Sequence, residues 1–272
     1  ILVGYKNTSI EKKTLLRNAT ASFMLKKIIH EYGGTSYITY NKSSLSNNGR
    51  NLGFNIWVVN NVLINNSLNG LFSITGLTKY LYLGGKFDYI NSEFVGFSSV
   101  NETLSDNTTI SHFFIQTPIL KGKENLTRVY DKNNKLINEV FSYYTNTSDN
   151  KVFLNFTRES TYEENPSALV VNTTYSYDRY GNLLLANYSG NTALIGDEKY
   201  EYYDYIYNAT SYIVDKISNY SLYNSSNLLI KRTWFYYDGL TSSVTKGDLS
   251  KIIYYNNKGP NPEINYFYDS YG

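Results

Sequence analysis

The stretch Tyr177-Asp178-Arg179-Tyr180-Gly181-Asn182-Leu183 has the composition of a tight hairpin turn, and it recurs along the chain. A second close copy is Tyr268-Asp269-Ser270-Tyr271-Gly272, and weaker copies begin at Tyr130, Tyr223 and, most loosely, Phe87. The second positions of the five copies are 88, 131, 178, 224 and 269, so the intervals are 43, 47, 46 and 45 residues. A set of unrelated turns would not give four such similar intervals. The period is typical of a protein built from structural repeats.

The residues of this motif have physical roles in a turn. An Asp side chain accepts hydrogen bonds from backbone N–H groups two residues further on, and a Gly or Asn three residues after it supplies the left-handed conformation of a short bulged hairpin. Asn tolerates positive φ next best to Gly. We expect the turns to stack along one ribbon, with four or five strands of ordinary length per repeat. The predicted turn residues are Asp131, Asn134, Asp178, Gly181, Asn224, Asn227, Asp269 and Gly272, with Asn91 in the loosest copy.

Composition and alternation indicate an all-β fold. Tyr accounts for 30 of 272 residues and Phe for 13, and both are enriched in strands. Apolar side chains alternate with polar ones at Val152, Leu154 and Phe156. We predict an antiparallel β-hairpin ribbon over residues 25–272. Residues 1–24 are left as an uncertain N-terminal segment, because the apolar residues within 10–31 fit a helix as well as strands.

Several classes of function are disfavoured. The chain has no Cys, which excludes disulfides and thiolate metal sites. Its net charge of +2 comes with scattered basic residues, which argues against a nucleic-acid partner, and no apolar run reaches the roughly 18 residues of a membrane span. His30 and His112 have no ligand-spaced partners. Because a phosphate loop, a nucleophile elbow and a metal-binding helix are also missing, we predict no cofactor and no enzymatic activity.

Asparagine sequons indicate the compartment. The pattern Asn-x-Ser/Thr occurs fourteen times, about twice as often as random order of this composition would give. Alternation places Asn155 on a polar face, opposite Leu154 and Phe156. Because a glycan must project into solvent, we predict a secreted or cell-surface protein that carries N-linked glycans. The candidate acceptors are Asn7, Asn18, Asn41, Asn65, Asn101, Asn107, Asn125, Asn146, Asn155, Asn172, Asn187, Asn208, Asn219 and Asn224.

The Tyr-Asp-x-x-Gly phrase followed by Asn-Leu resembles the turn of Rhs/YD-repeat proteins. The surrounding sequence resembles the shell-forming region of the B component of insecticidal toxin complexes, in short stretches that follow the family order across roughly residues 25–272. These stretches are Gly33-Gly34-Thr35, Trp57-Val58-Val59, Gly84-Gly85-Lys86-Phe87-Asp88, Glu93-Phe94-Val95-Gly96-Phe97, Leu120-Lys121-Gly122-Lys123, Arg128-Val129-Tyr130-Asp131 and Thr245-Lys246-Gly247-Asp248-Leu249.

The resemblance implies a long β-ribbon that spirals as part of a larger hollow shell or barrel. In toxin members the shell encloses a C-terminal effector, and animal relatives use a similar barrel in adhesion at cell surfaces. The conserved acidic segment with which toxin members release the effector has no match in this sequence, and dense sequons are unlike bacterial shells. Two interpretations stay open. The chain is a structural segment of a secreted or cell-surface YD-repeat protein whose shell encloses a cargo, or it is a surface adhesion or filament-forming module with inter-chain strand pairing.

The copy of the motif at residues 268–272 lacks a returning strand. In the copy at Asp178, the residues Asn182-Leu183-Leu184-Leu185 follow the turn and supply that strand. An unpaired strand edge is an aggregation hazard. We therefore expect the β-ribbon to be truncated at its C-terminal end, with further YD repeats of the same polypeptide or neighbouring chains as its partners.

Overall fold

A computed structural model of the chain describes residues 24–46, 48, 52–66, 75–162 and 167–269, and also the backbone of residues 2–6 and 9–13. The predicted site residues Asn7, Asn18 and Gly272 lie outside the described residues. The described strands are β1 (Leu2–Lys6), β2 (Ser9–Lys13), β3 (Lys27–Ile29), β4 (Thr35–Lys42), β5 (Trp57–Asn65), β6 (Thr75–Leu83), β7 (Lys86–Asp88), β8 (Glu93–Gly96), β9 (Ser99–Thr103), β10 (Thr109–Phe114), β11 (Glu124–Tyr130), β12 (Leu136–Asn146), β13 (Val152–Thr161), β14 (Leu169–Tyr177), β15 (Leu183–Asn191), β16 (Lys199–Asn208), β17 (Ile213–Asn224), β18 (Leu229–Tyr237), β19 (Leu249–Tyr254) and β20 (Glu263–Asn265).

Sixteen of these strands form one antiparallel sheet in which nearly every strand pairs with its neighbours in sequence. The order runs from β3 to β20 and is interrupted only where the β7–β8 hairpin is inserted between β6 and β9. β1 and β2 pair with each other in a separate sheet. A single 3-10 turn, Ser43–Leu45, follows β4. The prediction of an all-β antiparallel fold is confirmed.

The sheet is a single layer with little closed core. The solvent-accessible surface of the whole chain is 18563 Å², whereas a compact monomer of this mass would expose about 12,000 Å². Most described side chains are half-buried, because each face is covered only by the side chains of neighbouring strands. The buried hydrophobic residues are Val58, Val95, Ala186, Tyr237, Val244 and Ile252.

From Asp131 onwards, three strands, and not the predicted four or five, separate successive motif turns; between Asp88 and Asp131 there are four. β12 to β14 lie between Asp131 and Asp178, β15 to β17 between Asp178 and Asn224, and β18 to β20 between Asn224 and Asp269. The predicted number is wrong because strands such as β17, with 12 residues, are longer than the ordinary five or six. An odd number of antiparallel strands also reverses the chain direction. Successive motif turns therefore follow one ribbon, as predicted, but lie alternately at opposite ends of its strands.

Candidate functional site

The turn between β14 and β15 is built around the carboxylate of Asp178. Its Oδ1 accepts hydrogen bonds at 2.8 Å from the backbone N–H groups of Tyr180, Gly181 and Asn182. Its Oδ2 accepts from Asn182 Nδ2 and from the Tyr207 hydroxyl, also at 2.8 Å. Partial burial opposes ionisation, but these hydrogen bonds outweigh it and lower the pKa of Asp178. Gly181 has a φ of 100°, which favours glycine at this position.

The turns at Asp131 and Asn224 repeat this geometry. In each, the first residue donates its N–H to the carbonyl four residues on and accepts from the N–H three residues on. The third residue after it has positive φ: 62° at Asn134 and 56° at Asn227. The Oδ1 atoms of Asp131 and Asn224 accept backbone hydrogen bonds of 2.8 to 3.1 Å. The amide of Asn224 thus takes the place of a carboxylate.

Two further hairpins use the same backbone pattern without an Asp in the first position. They begin at Leu104, between β9 and β10, and at Thr147, between β12 and β13. Their left-handed residues are Asn107 at 65° and Asn150 at 61°. Sequence reasoning missed them because it required an aromatic residue followed by Asp or Asn. An Asn three residues after the turn begins is the signal that could have found them.

The loop between β18 and β19 contains a larger version of the Asp-centred turn. The Asp238 carboxylate accepts backbone hydrogen bonds from residues 245–248, at 2.6 to 3.1 Å. Partial burial opposes ionisation, but the N–H groups of Thr245 and Gly247 outweigh it and lower the pKa of Asp238. The pair Tyr237-Asp238 is a Tyr-Asp phrase that the sequence analysis overlooked, because its loop is longer than five residues.

The loosest copy of the motif differs from its prediction. In the β7–β8 hairpin, Asp88 Oδ1 accepts from the N–H groups of Ile90 and Asn91, at 2.9 and 3.2 Å. The residue with positive φ is Ser92, at 53°, so the prediction that Asn91 takes this conformation is wrong. The turn is one residue longer than the others, which moves the left-handed position. In the last copy, Asp269 is described but its expected turn partner Gly272 is not.

Four tyrosine hydroxyls, two of them in the predicted motif copies at Tyr177 and Tyr268, donate hydrogen bonds to the neighbouring strand. The Tyr177 hydroxyl donates to the carbonyl of Leu154 at 2.8 Å, and three other hydroxyls make the same kind of bond to the preceding strand. Because each tyrosine side chain reaches across to a backbone carbonyl of the preceding strand, its hydrogen bond adds a second link between two strands that are already paired. The other three bonds are Tyr205 to Leu183 at 3.1 Å, Tyr237 to Ile217 at 3.0 Å and Tyr268 to Leu249 at 2.8 Å.

Each of these carbonyls lies directly before an extra residue of a β-bulge. In β13, Leu154 pairs with Tyr144 and Phe156 with Tyr143, so Asn155 is the extra residue. The carbonyls of residues 183, 217 and 249 likewise precede register shifts. A bulge disrupts the ladder locally, and the hydroxyl supplies a donor beside that disruption. The high tyrosine content therefore has a repeated structural use.

The bulge removes the strict alternation on which the predicted face of Asn155 rested. Strict alternation breaks at an extra residue, so the position of Leu154 and Phe156 does not determine where Asn155 points. Its Oδ1 accepts a hydrogen bond from Thr145 Oγ1 at 2.6 Å, and the side chain is half-buried.

The described sequon asparagines differ in exposure. Asn107 and Asn146 are exposed. The amide of Asn219 donates to Asp204 Oδ2 at 2.9 Å and to Ser221 Oγ at 3.2 Å, so both of its hydrogens are used. The half-buried sequon asparagines are Asn41, Asn65, Asn101, Asn125, Asn155, Asn172, Asn187, Asn208, Asn219 and Asn224.

The two histidines lie far apart on the sheet. His30 Nε2 is 2.8 Å from Ser36 Oγ, and His112 Nδ1 is 2.5 Å from Glu124 Oε1. In the part of the chain that the structure describes, no group of three or more His, Asp or Glu side chains is placed to hold a metal ion. No helix among the described residues is long and apolar enough to span a membrane.

Comparison with known proteins finds one matching family and several solved structures with a similar fold. Residues 8–125 match the family described as insecticide toxin TcdB middle/N-terminal region. The fold is similar to TcdB2-TccC3 without its hypervariable C-terminal region, with a TM-score of 0.66 and 11% identity over 85% of this chain and 18% of that chain. TcdB2-TccC3 itself gives a TM-score of 0.64 and 10% identity, over 84% of this chain and 18% of that chain.

A similar result comes from the Tc holotoxin pore of Photorhabdus luminescens. It gives a TM-score of 0.64 and 11% identity, over 85% of this chain and 18% of that chain. Among curated proteins, no sequence relative matches the chain. The chain spans about 18% of the solved chains that it resembles. Its fold is thus that of a part of the TcdB2-TccC3 chain, and the predicted resemblance to the B component of insecticidal toxin complexes is confirmed.

Proposed function

We propose that the chain is a structural wall segment of a secreted YD-repeat protein of the toxin-complex type, whose β-shell encloses a cargo or effector. The observation that carries this proposal is the single-layer sheet, in which sixteen antiparallel strands pair side by side and, within the described residues, make their main strand-to-strand contacts with those paired neighbours. A domain built around its own core normally has two or three packed layers. The wall of a hollow shell, in contrast, can be a single layer of β-sheet.

The exposed apolar side chains support the same role. Leu81, Phe141 and Tyr143 lie in the middle strands of the sheet and are 43%, 37% and 52% exposed. A closed wall turns one face towards a lumen, where such side chains meet the enclosed material instead of bulk water. In this role the chain contributes shape and strand pairing, and it does not contribute a reacting group.

A second candidate function is a surface adhesion or filament-forming module. The observation that favours it is the pair of sheet edges, β3 and β20, which have three residues each, all exposed, and which pair with no further strand among the described residues. Open edges present unpaired backbone groups to another strand. In the shell those edges pair with further repeats of the same polypeptide, and in a filament they pair with neighbouring chains.

Electron cryomicroscopy of the polypeptide purified from its native source distinguishes the two functions. The wall proposal expects a hollow particle in which this sheet forms part of the wall, with density for a cargo inside. The adhesion proposal expects strand pairing between chains related by a repeating operation. A filled globular particle, with the sheet lying on a separate core, would contradict both.

Secretion and glycosylation are tested on the same material. We propose that N-linked glycans are attached to several sequon asparagines, with Asn107 and Asn146 as the strongest candidates because they are exposed, Asn107 in a hairpin turn and Asn146 at the end of β12. Glycopeptide mass spectrometry of the secreted protein identifies the occupied sites. Unmodified peptides at all fourteen positions would leave secretion without this support.

A further inference from the structure

A cavity on one face of the sheet gathers a guanidinium group, a carboxylate, an amide and two tyrosine rings. It has a volume of about 330 Å³ and lies across β16, β17 and β18. Its side chains share one face because Tyr202 pairs with Ser221, and Ser221 pairs with Arg232. We name it the Arg232 cavity, and the residues used below are Tyr202, Asp204, Asn219, Ser221, Tyr223 and Arg232.

The guanidinium of Arg232 is held in place by neutral groups. Its Nε donates to Ser221 Oγ at 2.9 Å, and one terminal nitrogen donates to the Tyr223 hydroxyl at 2.6 Å. Ser221 is only 2% exposed, so this anchor is fixed in the sheet. These contacts use two of the five N–H groups of arginine. Among the described residues, no carboxylate forms an ion pair with Arg232.

The rest of the cavity combines aromatic and polar surfaces. The rings of Tyr202 and Tyr223 are 5.6 Å apart with an interplanar angle of 88°, and Tyr202 is 39% exposed. Across the strands, Asp204 accepts a hydrogen bond from Asn219 Nδ2 at 2.9 Å. Because that bond involves only Oδ2, the carboxylate has acceptor capacity for hydroxyl groups of a ligand.

We propose that the Arg232 cavity binds an anionic sugar. The carboxylate of a uronic acid pairs with the outer N–H groups of Arg232, and its hydroxyls donate to Asp204. The C–H face of the sugar ring lies against Tyr202. The volume suits one sugar ring, since small-ligand sites begin at about 300 Å³. This inference is independent of the proposed wall role.

An acidic peptide fits the cavity less well than a sugar. The face of a sheet offers side chains and no backbone donors or acceptors, so the N–H and C=O groups of an extended peptide would stay unpaired there. A second peptide carboxylate would also meet the like charge of Asp204. A uronic acid carries one negative charge and several hydroxyls, which matches one guanidinium beside one carboxylate.

The test is a ligand-observed NMR titration of the full 272-residue chain. The probes are methyl glucuronide, its neutral analogue methyl glucoside, and an acetylated diglutamate peptide. The protein is made in a host without N-glycosylation, because a glycan on Asn219 would occupy the same cavity. We expect saturable binding of the glucuronide, and binding of the glucoside and the peptide that is weaker by roughly tenfold or more.

Two arginine variants distinguish specific binding in the Arg232 cavity from general electrostatic attraction of the anionic probe. Arg232→Gln should weaken glucuronide binding by roughly tenfold or more. The matched control is Arg158→Gln, because Arg158 lies on the same face and donates to Asn172 Oδ1 at 3.2 Å but is outside the cavity. The control should bind like the wild type. If Arg232→Gln does not fold, the proposal is tested with Tyr202→Ala and Tyr202→Phe. Loss of glucuronide binding is then expected only for Tyr202→Ala.

Four results would overturn the proposal. They are equal affinity for glucuronide and glucoside, an equal loss in both arginine variants, no saturable glucuronide binding, and equal affinity for the diglutamate peptide. The last result would assign the cavity to an acidic protein segment. Retention of glucuronide affinity in Tyr202→Ala would likewise contradict the stacked geometry.

Discussion

Replacing Asp178 by alanine should destabilise the hairpin between β14 and β15 and lower the free energy of unfolding by about 3 kcal/mol. The side chain accepts five hydrogen bonds at 2.8 Å, three of them from consecutive backbone N–H groups. Hydrogen bonds to a charged group contribute about 1.5–3 kcal/mol each when the group left behind is buried. Because the turn is half-exposed, water replaces several of these hydrogen bonds in the variant. The expected loss of free energy is therefore closer to the contribution of one or two hydrogen bonds than of five.

Thermal unfolding followed by circular dichroism measures this loss. For a chain of this size, 3 kcal/mol corresponds to a decrease in Tm of about 6–12 °C. Hydrogen exchange should also show faster exchange at the N–H groups of Tyr180, Gly181 and Asn182. Asp178→Asn should be milder, at about 1 kcal/mol, because Asn224 shows that an amide oxygen can accept the same backbone bonds.

The control is Asp149→Ala, in the hairpin between β12 and β13. The Asp149 carboxylate contacts the Thr147 hydroxyl and lies 3.1 Å from Lys151 Nζ. Because that side chain is exposed, its loss should leave Tm nearly unchanged. A Tm for Asp178→Ala equal to that of the control would refute the reasoning that the carboxylate organises the turn.

Four further outcomes are expected in the same unfolding assay. Tyr237→Phe should cost about 1 kcal/mol, since it removes the bond to the Ile217 carbonyl; an unchanged Tm would show that water replaces the hydroxyl. Gly181→Val should cost about 1–3 kcal/mol at a φ of 100°, and Gly181→Asn less; equal losses would mean that positive φ is not the cause. Because the pKa of Asp178 in the folded protein is below its ordinary value of 3.8, its stabilisation should be present above pH 3.8 and be lost as pH falls further. Asp178→Asn should reduce that acid dependence, and an unchanged pH profile would contradict the assignment. Burial, and after it the hydrogen bond to Asp178, raises the pKa of Tyr207 from 10.0 to about 12. The stabilisation that Tyr207 contributes should therefore be present below pH 10 and be lost as the pH rises towards 12. Tyr207→Phe should flatten that dependence, and an equally steep loss in the variant would contradict it.

The sequence predicted the fold class because turn chemistry is local. An Asp or Asn that caps its own turn, followed by Gly or Asn at positive φ, needs only five residues, and these are visible in the stretch at Asp178. The number of strands per repeat was not predictable in the same way. Strand length depends on pairing with neighbours, and β17 extends to 12 residues because β16 and β18 both accompany it.

The Arg232 cavity was also beyond sequence reasoning. Asp204, Asn219 and Arg232 are separated by 15 and 13 residues and share no motif. They meet because β16, β17 and β18 pair in register, and a shift of one residue would move one of them to the other face. The bulges at Ser218 and Leu184 illustrate the same limit, since an extra residue changes the register without a marked change in composition.

The odd number of strands per repeat gives the motif a structural consequence that an even number would not have. Motif turns at Asp131 and Asn224 lie at one end of the strands, and the turn at Asp178 lies at the other. A register shift accompanies each of these turns, at Tyr130, Tyr177 and Tyr223. A bulge bends its strand and increases the local twist. Because successive repeats place the bulges of their motif turns at alternate ends, the twist that these turns add is distributed over both edges of the sheet, together with that of bulges elsewhere such as the one at Asn155. In the proposed wall, a single layer that curves evenly would benefit from this distribution.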